Sequence, residues 1–347
     1  MELNSVSSTS DSFMYNIERY FTPYKYGKPV LTGSGIDGAF DSHAVDCPFV
    51  FSHNNKFYMM FVGFDGKGYQ TGLAVSSDLI HWEKLGVILK REEHNGWDKT
   101  GAAGTWILKS TNNLYDLPTI KKVDGKYWMV YHSYPEEGYE EGSAQIGLAW
   151  TTDENLLEWH RLPEPIYSWK DGDEWEKGGL YKACLIEHEN IYYLFYNAKN
   201  LEKGPWLEQI GVAMSSDMIH WERYEKNPII RVSEKGKWDS RFCADPFVVR
   251  DNDKWLMFYY GYGQRHAQDG IAVSRDLINW VKYDEPILRS GSEGEIDEGH
   301  AHKPAIIYYN GILYHFYCAT RKFREGDPAR NFWDEFRCIT VATSRPL

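Results

Sequence analysis

The chain has 347 residues, a net charge of −12 and a hydrophobic fraction of 42%, enough apolar material for one large domain or two ordinary ones. The acidic balance argues against a nucleic-acid partner, because binding to phosphates rests on clustered Lys and Arg. No apolar run approaches the roughly 18 residues of a membrane helix, so no membrane partner is expected.

From the N-terminus onward the chain reads as short strands. Met1 to Ser12 is polar and Ser-rich, without the basic and apolar regions of a signal peptide, and none is expected. Gly27 to Thr32 reads as a short strand. Pro48 to Phe61 then carries two strand signals around a turn, and Gly72 to Trp82 follows as Gly-Leu-Ala-Val-Ser-Ser-Asp-Leu-Ile-His-Trp. The two-strand unit returns at Pro118 to Tyr131, Cys184 to Tyr196, Pro246 to Tyr259 and Pro304 to Tyr317. The Gly-to-Trp unit returns at Gly147 to Trp159, Gly211 to Trp221 and Gly270 to Trp280, and a fifth copy begins at Ile339. Asp124-Gly125 and Asn310-Gly311 are hairpin dipeptides, and helical periodicity is sustained nowhere. The repeated tryptophans stand 59 to 77 residues apart, a spacing that suits a four-stranded blade with variable loops.

The expected fold is therefore all-β, a five-bladed β-propeller over residues 26–347 with residues 1–25 as an N-terminal extension. Gly27 to Thr32 should supply the outer strand that the last blade lacks, closing the ring and removing an exposed edge. Asp78, Asp153, Asp217 and Asp276 occur in each of the four complete copies of the second unit, which marks them as turn residues rather than as catalysts. Five scattered cysteines without a CxxC signal neither a disulfide framework nor a zinc site, and the cytoplasm is the default compartment. Aromatic residues make up 16% of the chain. Strands favour them, so most should belong to the blades. A smaller set (Tyr69, Trp106, Tyr134, Tyr181, Trp206 and Tyr262) falls near the expected mouth, where rings stack on sugars.

Chemistry is expected where the blades differ. The innermost strand of each blade lines the channel, and ligands bind at one mouth of it. Two residues before the aligned Pro or Cys of the first unit stand Asp46, Asp116, Lys182, Ala244 and His302. One residue before it stand Cys47, Leu117, Ala183, Asp245 and Lys303. Charges at such buried positions must be paired or used. The loops entering these strands carry a second acidic set, Asp41, Asp98, Glu176, Asp239 and Asp297-Glu298. Its recurrence reads as structural, with Glu176 and Glu298 held as exceptions.

The Asp-x-Pro and Asp-Pro strands (Asp46 to Pro48, Asp245-Pro246) and the Gly-x-Ala-x-Ser-x-Asp-Leu-x-x-Trp unit resemble the five-bladed propeller glycosidases. That superfamily holds glycoside hydrolase families 43, 32, 117 and 130. The resemblance implies removal of a terminal sugar from an oligosaccharide partner by acid–base catalysis. It favours inversion of configuration, although family 32 retains. Carried over by position, Asp46 is the general base and Asp116 the orienting carboxylate. Family 43 places its acid, a Glu, where this chain has Lys182, so the third role falls to Asp245, His302 or Glu176, with Asp245 first. Glu176, Tyr181, Lys182, Arg241, Glu298, His300, His302 and Trp106 form the expected substrate-binding set. No cofactor is required, and a structural Ca2+ near His302 is implied by the resemblance.

Two other readings stay open. A phosphorylase of the family 130 type needs a cationic cluster beside the acid, which Lys182, Arg241, His300, His302 and Lys303 would form. A non-catalytic carbohydrate-binding propeller would bind sugar without turnover.

Overall fold

The structure is a computed structural model that describes residues 16–92, 96–201 and 206–347. Residues 1–15 of the expected N-terminal extension lie outside the described residues. The architecture is all-β: five blades of antiparallel strands, those of blades three, four and five joined by single parallel bridges (Glu208 to Phe242, Gln268 to Ala301), with only three short 3-10 turns among the described residues. Blade one runs Ala44–His53, Lys56–Phe64, Tyr69–Ser76 and Glu83–Leu89 from inside to outside. The inner strands of blades two to five are Ala103–Ile107, Gly179–His188, Phe242–Asp251 and His300–Tyr309. Ala44–His53 is buried along its whole length, the burial expected of strands covered on both faces.

Local chemistry explains each hairpin and turn. Outside blade two, inner and second strands join through two-residue loops; in blades one and three both central residues, Asn54 and Asn55 and Glu189 and Asn190, have positive φ. That is the primed turn whose twist matches the flanking strands. In the repeated turn, the Asp78 carboxylate accepts the backbone N–H groups of Ile80 and His81 at 2.9 and 2.8 Å. Asp217 and Asp276 repeat the pattern, and Asp153 bonds Asn155 and Leu157. The four repeated aspartates are turn residues, as expected. The repeated glycine has a packing reason: a Cβ on Gly211 would lie 2.6 Å from Tyr196 and 2.7 Å from Trp175.

The N-terminal segment joins blade five. Leu31–Thr32 and Tyr24–Lys25 both pair antiparallel with the last strand, Glu335–Thr343. The inner strand of blade five packs against that of blade one.

Two expected registers are corrected. Blade two does not begin at Asp116: its inner strand is Ala103–Ile107, and the chain then leaves the sheet in a loop over residues 110–118 before Lys109 and Ile120 bridge. That loop bonds Arg250, near the far end of blade four's inner strand, through Leu114 N–H to Arg250 O at 2.8 Å. Asp116 is exposed there, accepting only a local bond from Thr111 Oγ1 at 2.8 Å. In the other four inner strands the pairing breaks between Asp46 and Phe49, Tyr181 and Cys184, Ala244 and Phe247, and His302 and Ala305. Cys47, Lys182, Asp245 and Lys303 sit in these bulges with φ of 50, 50, 57 and 67°. Lys182 therefore matches Asp245 and Lys303, and Tyr181 is the residue equivalent to Asp46. Such left-handed non-glycine backbone costs about 1 kcal/mol or more per residue and re-aims the side chain.

Candidate active site

The four bulges face one mouth of the channel, where they floor a cavity of about 330 Å³. Cys47, Lys182, Asp245 and Lys303 form its base. Glu140, from the loop between the second and third strands of blade two, and Glu208, at the start of blade three's third strand, stand on its walls. Trp206 and Trp333, 48% and 57% exposed, mark the rim.

Asp46 lies beneath this floor and does not line the cavity. Its Oδ2 accepts Lys303 Nζ at 2.8 Å and Arg337 Nη1 at 2.7 Å. Its Oδ1 accepts the Cys47 N–H at 2.8 Å and Cys318 Sγ at 2.7 Å. Burial would raise its pKa, yet Lys303 and Arg337 hold it well below the ordinary carboxylate range. With both oxygens saturated, Asp46 cannot take a proton from water, and the general-base expectation is corrected on that ground. It neutralises two buried cations instead.

Asp245 does enter the cavity. Burial pushes its carboxyl up to about 7, against the pull of Lys303 and Lys182. Its Oδ2 is buried with no hydrogen-bond partner among the described residues. Glu208 is 4% exposed. Burial raises its pKa, the Tyr181 hydroxyl opposes this, and Glu140 adds to it. Asn197 Nδ2, Trp206 Nε1 and the Tyr260 hydroxyl donate to its oxygens at 3.2, 3.1 and 3.4 Å. Glu140 accepts the Tyr69 hydroxyl at 3.0 Å and faces Lys303 Nζ at 3.9 Å.

Three neutral imidazoles complete the surface. Burial lowers His132 to about 3 and His300 to about 4, and holds His302 well below the usual histidine range. Backbone partners set their tautomers. The Lys182 and Ala267 N–H groups donate to Nδ1 of His132 (3.2 Å) and of His300 (3.0 Å), leaving each Nε2–H as a donor. His302 Nδ1 instead donates to Cys318 O at 3.1 Å, which leaves its Nε2 an acceptor. Donors and acceptors of this kind suit sugar hydroxyls.

The expected Ca2+ does not fit here. Ca2+ takes six to eight oxygens. His302 is flanked by Lys303 and Arg337, Asp46 is saturated, and no metal-binding group of three acidic, His or Cys side chains occurs among the described residues.

Several other expected site residues lie elsewhere. Trp106 is 2% exposed inside the channel, between Phe49 and Phe247 with ring centroids 4.7 and 4.8 Å away, and is core. Glu176 is buried against Arg223 Nε at 3.0 Å and the Tyr196 hydroxyl at 2.5 Å. Glu298 pairs with Arg324 at 3.1 Å on the periphery. Tyr181, Lys182, Arg241, His300 and His302 do line the cavity, as do Tyr69, Trp206 and Tyr262.

Glu140 and Glu208 were not anticipated. A signal for Glu208 exists: three residues before the repeated glycine stand Tyr69, Ala144, Glu208 and Ala267, and only one is charged. Glu140 lies in the run Glu136-Glu137-Gly138-Tyr139-Glu140-Glu141, which has the look of a solvated acidic loop.

Comparison with known proteins gives the same architecture. A solved structure of a BT0996 RGII complex superposes with a TM-score of 0.81 at 28% identity, covering 97% of this chain and 96% of the other. A second, described as "Glycoside hydrolase", gives 0.80 at 27% identity, covering 99% and 97%. Among curated relatives, a beta-1,2-mannobiose phosphorylase of Thermoanaerobacter sp. (strain X514) is 31% identical over 140 residues, 35% of this chain. The match spans 45% of that relative's length. The model of the glycosyl hydrolases family 32 N-terminal domain matches residues 107–298, more than half of the chain, which therefore belongs to that family.

Proposed function

We propose that the protein is a glycoside hydrolase that removes a terminal sugar from an oligosaccharide, with Glu208 as general acid and Glu140 as the partner carboxylate. One observation carries this reading: the cavity holds a buried carboxyl with a raised pKa and a second carboxylate on another wall, the division of labour that glycoside hydrolysis requires. Glu208 gives its proton to the glycosidic oxygen as the bond to the anomeric carbon breaks. Glu140 either attacks that carbon or takes a proton from the attacking water. Asp245, at the floor between Lys182 and Lys303, binds the terminal sugar with the three imidazoles. The Tyr139 and Tyr181 rings on the walls enclose it.

Leaving-group dependence tests the acid. Glu208→Gln lowers kcat/KM on an unactivated oligosaccharide by roughly a thousandfold, but much less on an aryl glycoside whose leaving group needs no proton. Glu140→Gln lowers both. Wild-type turnover of unactivated substrate by Glu208→Gln, with loss in Asp245→Asn, moves the acid role to Asp245.

A second reading has one observation in its favour. Lys182, 6% exposed, lines the cavity with no carboxylate within 4.0 Å among the described residues. An uncommitted ammonium there suits a phosphate that replaces water as the acceptor. Phosphate-dependent turnover of a disaccharide would select a phosphorylase.

A further inference from the structure

The acid defines the side on which the leaving group sits, since its proton goes to the oxygen that departs. Around Glu208 that side is built by blades three and four. Glu208 N–H donates to Arg241 O at 3.0 Å, and Arg241 N–H donates to Tyr262 O at 2.9 Å. These bonds fix the Arg241 backbone beside the acid. The guanidinium carbon lies 5.3 Å from the Phe242 ring centroid and 5.7 Å from that of Tyr262. Trp206 stacks parallel to Phe242, with centroids 6.1 Å apart and planes 6° from parallel, and its indole N–H holds Glu208.

Arg241 is uncommitted. It lines the cavity, it has no carboxylate within 4.0 Å among the described residues, and its Nε is buried without an acceptor. The cavity's other guanidinium differs, since Arg337 is spent on Asp46 and Glu335 at 2.7 and 2.9 Å. A planar guanidinium held on aromatic rings beside a polarisable indole is arranged to take a planar anion through two parallel N–H bonds.

We infer that Arg241 recognises a carboxylate on the leaving-group sugar, so that the preferred substrates carry a uronic acid directly beyond the scissile bond. This rests on the reading of Glu208 as the acid. Trp206 then supports the apolar face of that sugar, and the Arg241 guanidinium takes its carboxylate.

The test compares an oligosaccharide bearing a uronic acid at that position with its carboxyl-reduced, neutral counterpart. Wild type should favour the acidic substrate by about tenfold or more in kcat/KM, carried mainly by KM, with the preference shrinking in high salt. Arg241→Gln should bring the ratio of the two kcat/KM values to within about twofold, and Arg241→Lys should keep part of it. Equal kcat/KM values in wild type, or a preference that survives Arg241→Gln, would overturn the inference. Aryl glycosides carry no carboxylate and report hydrolysis alone. Their cleavage by an enzyme indifferent to the uronate keeps the hydrolase reading while sinking this one, and no turnover of any glycoside sinks both.

Discussion

Two sets of charges surround the same channel and are built on opposite terms. The loops entering the five inner strands each carry an acid that meets a cation from the outer strand of its own blade. These pairs are Asp41–Lys84 (2.5 Å), Asp98–Arg161 (3.0 Å), Glu176–Arg223 (3.0 Å) and Asp239–Lys282 (2.7 Å). The fifth pair, Asp297–Lys25 (2.6 Å), takes its cation from the N-terminal strand, which places that strand in the role of an outer strand of blade five. The cavity set has no such regularity: Asp245, Glu208, Lys182 and Arg241 each occur once, and none of them makes an ion pair within 4.0 Å among the described residues. A charge repeated with its partner in every blade holds the blade together. A buried charge that occurs once and lacks a partner is retained at a cost to stability, and such costs gather at functional sites.

Asp46 tests that division most severely, because it sits under the cavity but belongs to the paired class. Asp46→Ala leaves buried Lys303 with only Glu140 at 3.9 Å and buried Arg337 with only Glu335, removing the carboxylate they share, and should cost about 3 kcal/mol. Denaturant unfolding would measure it. In the wild type, Asp46 has a folded pKa held below its unfolded value. The stability it gives is therefore present above the ordinary carboxylate range and lost as pH falls through the depressed value. An Asp46→Ala protein as stable as wild type would break the comparison.

Glu176 was a candidate for chemistry and belongs to the belt. Glu176→Gln should cost about 1–3 kcal/mol, since Arg223 loses its counter-charge and the Tyr196 hydroxyl one strong acceptor. Turnover per folded molecule should be unchanged, because this side chain lies outside the cavity. Unfolding curves and kcat on an aryl glycoside check both halves, and a loss of kcat without loss of stability would return Glu176 to the site.

Legibility followed the same division. The repeated parts were readable because each blade restates them: the glycine under the aromatic ring, the Ser-x-Asp turn, the tryptophan, and the recurrent loop acid. Blade two's inner strand, Ala103-Gly-Thr-Trp-Ile, hid because it has no Pro and little alternation. Pro118 to Tyr131, with its Asp-Gly turn, imitated the pattern better and drew Asp116 into a role it does not hold. Lys182 slipped by one because blade three lacks the proline: Ala183, and not Cys184, stands where the other blades have Pro48, Pro246 and Pro304. That Asp46 and Asp245 occupy inner strands was readable. That one is neutralised was not, since Lys303 lies 257 residues away in sequence. Glu208 was within reach of the repeat alignment, as the lone charge in its column. Glu140 was not, because nothing local separates it from its acidic neighbours.

One further substitution separates stability from chemistry within the cavity. Asp245 has a folded pKa raised to about 7 by burial, above an unfolded value near 3.9. Between these values the folded chain holds more protons than the unfolded one, so stability falls as pH rises from about 4 to about 7 and then levels. Asp245→Asn removes that penalty while keeping the shape. Its melting temperature should exceed that of wild type by roughly 2 °C or more at pH 8, with the gap closing near pH 4. Thermal melts at the two pH values read this directly. Sugar binding should weaken in the same variant, since a floor group that accepts from a hydroxyl has become a partial donor. Stabilisation with weaker binding is the signature of a group kept for its ligand. A variant less stable than wild type at both pH values would place Asp245 with Asp46, among the charges that serve the scaffold.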